Sequence, residues 1–146
     1  MKYKDVSENY DSQRLVRWET LVMLSLLLTA PIWAAVRLSA YLEGTILAGI
    51  WLTVSVITFG LYWRDKRKAE TGGWRVKEST LHLAEAFGGW PAAFLAQRTL
   101  HHKRSKPSYQ IVFWSIVWLY EYVALDYLLN WQLARGAFAF LRGLVS

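Results

Sequence analysis

Three long apolar runs, separated by short polar links and one broken apolar stretch, organise this 146-residue chain. Thr20 to Val36 carries no charge, and Trp18 and Arg37 flank it as ends suited to lipid headgroups. Together they reach the roughly 20 residues that a helix needs to cross about 30 Å of hydrocarbon. Pro31 inside the run predicts a kink. Gly44 to Trp63 is again uncharged, bounded by Glu43 and Arg64. Its Thr45, Gly49, Thr53, Ser55 and Gly60 are small enough to admit a neighbouring helix. The short link between these runs predicts that their helices pair as an antiparallel hairpin. The third run starts at Tyr109 and reads as a span over 109–133. It is rich in tryptophan and interrupted by Glu121 and Asp126. The tail beyond it, with Arg135 and Arg142, fits a short amphipathic helix at the opposite membrane surface.

Between the second and third runs, residues 79–100 are apolar but cut by Gly88-Gly89, with Pro91 suited to start a new helix. Each arm holds about nine residues, or roughly 13 Å of helix, less than half a bilayer. A crossing here would put the two basic loops on opposite sides. A broken helical hairpin that re-enters or lies in the interface keeps them together. The expected fold is therefore all-α: three transmembrane helices over 18–37, 44–63 and 109–133, plus this hairpin. Residues 18–146 form one membrane domain after a polar tail, 1–17.

Composition sharpens that reading. Hydrophobic residues make up 54% of the chain and charged ones 19%, against about 25% in a typical soluble domain. The net charge of +6 is concentrated in loops. Lys and Arg number four before the first span, one in the following link, six over 64–77 and four over 98–106. By the positive-inside tendency the N-terminus and both basic loops are expected to face the cytoplasm at the cell's inner (plasma) membrane, with the C-terminus outside. The first apolar run lacks a cleavage site and reads as a retained anchor. Without cysteine, neither disulfides nor thiolate metal sites form. The aromatics fall mostly in apolar spans, which disfavours a nucleic-acid platform. No phosphate loop, nucleophile elbow or cofactor motif is visible.

Polar chemistry gathers over 62–109. Lys66, Arg75, His102, Lys103 and Lys106 form a candidate anion or phosphate-headgroup site, since Arg offers a planar fork and Lys a compact charge. Positive-inside charge that only sets topology is the competing reading. Glu78, His82 and Glu85 share a helix face. A paired histidine orienting the hairpin is favoured there over proton transfer, catalysis or metal binding, because two carboxylates and one imidazole make a thin ligand set. Asp65 is expected to form a salt bridge with Arg75 or Lys103; the alternative is a general base. Glu121 and Asp126 lie about 140° apart around a helix and should meet different partners. As carboxylates within a span they are candidates for a role.

The same stretch resembles the domain-of-unknown-function 1294 family of predicted bacterial membrane proteins. The resemblance rests on Tyr62, Asp65-Lys66, Arg75, Glu78, Leu81-His82, Gly88-Gly89, Pro91, Gln97, His102-Lys103, Lys106 and Tyr109. Lys77 and Ala92 depart from the family pattern, which has Pro and Gly there. The resemblance implies a membrane fold and imports no reaction. Two functions are expected. A non-enzymatic lipid-binding or accessory subunit, with anionic lipids, a protein partner or a second copy as partners, is preferred. A membrane enzyme or transporter acting on a phosphorylated lipid or other anion is the alternative, with His82, Glu78 and Asp65 as catalytic candidates.

Overall fold

The structure, a computed structural model, describes residues 18–145, so the expected polar tail over 1–17 lies outside the described residues. In chain order the helices are α1 (Trp18–Leu38), α2 (Gly44–Glu70), α3 (Glu78–Ala84), α4 (Trp90–Thr99), α5 (Pro107–Leu128) and α6 (Gln132–Val145). A wide turn, Glu85–Gly89, joins α3 to α4. No strand occurs among the described residues. Helices α1, α2 and α5 are each long and apolar enough to cross a membrane. Among the described residues the fold is all-α, with three candidate spans.

Two boundaries differ from expectation. Helix α2 runs on past Trp63 to Glu70, because Arg, Lys, Ala and Glu are good helix formers. It stops just before Gly72, whose φ of 68° leaves the helical region. Helix α5 ends at Leu128 rather than 133, since Asn130 and Trp131 adopt left-handed φ values of 56° and 62°.

The first two helices do not pair as the short link suggested. Helix α1 lies against α5 and α4, while α2 lies against α4, the wide turn and α3. The reason is α4, whose Trp90, Pro91, Ala92, Ala93, Phe94, Ala96 and Gln97 are all buried. It touches all three long helices and takes the place the hairpin would need. Gly49 and Gly60 accordingly seat no neighbour: a Cβ added at either meets nothing within 4 Å.

The core surrounds α4. Leu24 from α1, Tyr62 from α2, Leu81 from α3 and Tyr109, Phe113 and Val117 from α5 close on Trp90, Ala93, Phe94 and Ala96. Two glycines let the chain reach this arrangement. Gly88, at φ 103°, breaks the helix in a conformation that side chains resist. Gly89 lies so close to α2 that a Cβ there would stand 2.0 Å from Thr58 Oγ1 and 2.7 Å from the Ala84 carbonyl oxygen. The two short arms, α3 and α4, both pack on α2 and scarcely on each other.

These contacts make the glycines unequal. Gly89→Ala is expected to cost about 1–3 kcal/mol through forced displacement of a packed contact. Gly49→Ala should be neutral or slightly stabilising, as Ala is the better helix former by about 1 kcal/mol. Thermal unfolding of both variants in detergent checks the contrast; equal melting temperatures would contradict the packing at the wide turn.

Candidate functional site

At the start of the wide turn Glu85 is fully buried. Its Oε1 accepts hydrogen bonds from the Tyr62 hydroxyl of α2 and from the Tyr109 hydroxyl of α5, the latter at 2.7 Å. His82 Nδ1, one turn earlier, donates to Oε2 at 2.7 Å. The two phenol oxygens also lie 2.7 Å apart. Gln97 of α4 donates to Tyr62 at 3.0 Å, and Gln110 donates to Gln97 at 2.6 Å and to the Lys103 carbonyl at 3.0 Å. The His82 imidazole stacks on Tyr109 with ring centroids 4.1 Å apart.

Proton arithmetic constrains this group. Two phenol protons serve three close oxygen–oxygen contacts. With Glu85 ionised, both phenols donate to it and the Tyr62–Tyr109 contact has no proton between its oxygens. One further proton on the carboxyl group would complete the ring. Because His82 Nδ1 faces the carboxylate, Nε2 is the ring nitrogen left for other chemistry. At the wide turn itself, the Tyr120 hydroxyl donates to the Ala86 carbonyl at 2.7 Å, satisfying an acceptor near the helix break.

Above this lies a second carboxylate, Asp65, also fully buried. It accepts from His102 Nε2 at 2.7 Å, from the Val76 backbone N–H at 3.0 Å and from Arg75 at 3.5 Å, with the Lys103 ammonium 3.7 Å away. One carboxylate thus ties the end of α2 to both basic loops. The expected Arg75 and Lys103 partners are present together, and His102 joins them.

Glu78 forms a third centre. It accepts from Lys103 and from Lys106, the latter at 2.8 and 2.9 Å to its two oxygens. Those ammonium groups, Lys103 first, lower its carboxyl from 4.5 to about 2. Glu78 therefore turns to the lysines, away from the pair made by His82 and Glu85. Lys66 binds Glu70 one turn along its own helix, at 3.6 Å. The five basic residues singled out by sequence are thus brought to one end of the molecule, each facing a carboxylate. Arg75 and Lys106 keep half of their side-chain surface open.

The two carboxylates of α5 have separate settings. Asp126, at the far end, accepts from the backbone N–H groups of Leu133 at 2.9 Å and Ala134 at 3.4 Å. Glu121 Oε1 is shielded from solvent and has no hydrogen-bond partner among the described residues. Nor do any three His, Asp or Glu side chains among those residues form a group that could hold a metal ion.

Sequence reasoning quoted Tyr62, Gln97 and Tyr109 only as matching positions and gave them no chemical role. Their signal lay in being polar tips on buried helix faces close to a carboxylate at helical spacing from His82. Comparison with known proteins adds one match: residues 55–109 fit the family described as "Protein of unknown function (DUF1294)". No curated protein and no solved structure matches. The matched segment contains Glu85, both tyrosines, His82, Gln97, Asp65 and Glu78, and leaves out Glu121 and Asp126.

Two outcomes follow from this geometry. A carboxylate lowered by its partners contributes stability above its unfolded value near 4.5, and that contribution is lost as pH falls toward about 2. The melting temperature in detergent should fall over that interval, and Glu78→Gln should flatten the fall. Separately, Tyr62→Phe and Tyr109→Phe should each cost about 1–3 kcal/mol, the penalty for leaving a buried polar group without its partner. Melting curves that tolerate both substitutions without loss would contradict the hydrogen bonding around Glu85.

Proposed function

We propose that this chain, which over residues 55–109 belongs to the domain-of-unknown-function 1294 family, is a non-enzymatic membrane protein that binds anionic lipid headgroups or serves as an accessory subunit. The observation that carries this reading is a charge excess at one end. Over 64–78 there are six Lys and Arg against Asp65, Glu70 and Glu78, and 98–106 adds four more without an acidic residue, a surplus of seven positive charges. All three carboxylates are engaged internally, so the surplus is left for external anions. Arg75 and Lys106 are half-exposed, Lys77 and Arg104 are exposed, and Trp74, 98% exposed, stands among them as an interfacial aromatic.

In this reading the basic end faces the cytoplasm at the plasma membrane. Its lysines and arginines meet phosphate headgroups, each adding about 1 kcal/mol near an anionic surface. The burial of α4 among the three long helices supports a re-entrant placement for residues 79–100 over an interfacial one. Asp65 and Glu78 hold the loops in shape, and Glu85 fixes the wide turn beneath them.

The second reading, a membrane enzyme or transporter for a phosphorylated lipid or other anion, draws on His82. A carboxylate fixing Nδ1 of an imidazole prepares Nε2 for proton transfer. It would require turnover that His82→Gln abolishes while the protein stays folded.

The test is native mass spectrometry of protein extracted in mild detergent, with bound lipids identified from the same sample. Arg75, Lys77 and Lys106 are changed together to glutamine, leaving Lys103 and His102 to hold Asp65. The expected result is an anionic lipid retained by the parent chain and lost from the triple variant. An unchanged lipid complement would overturn the headgroup site.

A further inference from the structure

Helix α6 shows a second membrane contact at the end opposite the basic cap. Placed at 100° per residue, Leu133, Ala134, Ala137, Phe138, Phe140, Leu141 and Leu144 fall in an arc of about 160°. Gln132, Arg135, Gly136, Ala139, Arg142 and Gly143 occupy the remainder. The apolar face is bare: Phe138 is 75% exposed, Phe140 69% and Leu144 68%. Among the described helices α6 packs appreciably only on α5. Its 14 residues extend about 21 Å, too short to cross a bilayer.

What lies against this face follows from where the helix begins. Helix α5 crosses from the basic end over 22 residues and about 33 Å, so Leu128 stands at the far boundary of the hydrocarbon. Arg37, at the end of α1, donates to the Leu128 carbonyl at 3.0 Å and marks the same level. There the chain turns sharply through Asn130 and Trp131. The turn is held by Asp126, which is 1% exposed although it lies in an apolar helix. Its carboxylate accepts from the first turn of α6, and its carbonyl accepts from the Trp131 N–H at 2.7 Å. An anion at a helix N-terminus also stabilises the helix dipole.

We infer that α6 lies in the plane of the bilayer surface opposite the basic cap, its apolar face in lipid and Arg135 and Arg142 among anionic headgroups, and that Asp126 is the positioning residue that sets this orientation. The occupant of the face is the lipid itself. A helix with a wide apolar arc, arginines opposite and a start at the hydrocarbon boundary has the features of interfacial binding. The inference is independent of headgroup recognition at the other end.

The chain has no cysteine, so each introduced cysteine is a unique labelling site. Nitroxide labels at single cysteines replacing residues 133 to 144 are read in vesicles of mixed phosphatidylcholine and phosphatidylglycerol. Collision with oxygen reports lipid, and collision with a water-soluble nickel complex reports solvent. The expected pattern repeats every 3.6 residues. Labels at 137, 141 and 144 favour oxygen, and labels at 135, 139 and 142 favour nickel. Uniform access to nickel would overturn the inference by showing a helix in water. Exclusion of both reagents from the apolar face would overturn it by showing a protein contact, with a second copy or with α1. In the Leu141→Cys background, Asp126→Ala should abolish the contrast and Asp126→Asn, which keeps an acceptor, should preserve part of it. An unchanged contrast in both would remove Asp126 from its positioning role.

Discussion

A carboxylate without access to solvent is tolerated only when its oxygens are supplied with donors, and Glu85 sets that condition for the whole fold. Removing such a group from water costs several kcal/mol. The donors arrive from three directions: Tyr62 from α2, His82 from α3 and Tyr109 from α5. Gln97 then orients Tyr62 from α4. No subset of these helices satisfies the group, so its satisfaction fixes their mutual positions. Apolar packing around Trp90 and Phe94 supplies the area of contact, and hydrogen bonding to Glu85 supplies the register.

The basic cap obeys a related rule. Six lysines and arginines within fifteen residues repel one another unless acidic groups are interleaved, and Asp65, Glu70 and Glu78 serve that purpose. Asp65 is the most consequential because it is buried and bonds to both loops at once. The same pairings that lower repulsion define which cations remain outward. Lys103, almost covered, is a structural cation, whereas Arg75 on the rim is available to ligands.

Much of this was legible beforehand. Apolar runs of membrane length, two of them uncharged and the third holding Glu121 and Asp126, announced the three spans, and Gly88-Gly89 announced the break between two short helices. Proximity of Asp65 to Arg75 and Lys103 followed from opposite charges in adjoining loops. The pairing of α1 with α5 was not legible, because a short link constrains only the ends of two helices and not their flanks. Nor was the direction of Glu78. Helical spacing places it on the face of His82, yet two lysines from a distant loop compete for it and win by charge. The tyrosine pair escaped notice because a phenol in an apolar run resembles any other aromatic until a carboxylate is found beside it.

The partnership of α1 with α5 has a bearing on biogenesis. Of the three candidate spans, α1 is made first and α5 last, with some seventy residues of chain between them. During synthesis the earliest span therefore enters the bilayer without the helix it will rest on, and meets lipid or the insertion machinery along its whole flank. Completion of the bundle waits for the final span, which brings Tyr109 to Glu85. Assembly is thus closed from the C-terminal side, and a chain stopped before Tyr109 would leave α1 only its smaller contact with α4 and would lack one of the donors to Glu85.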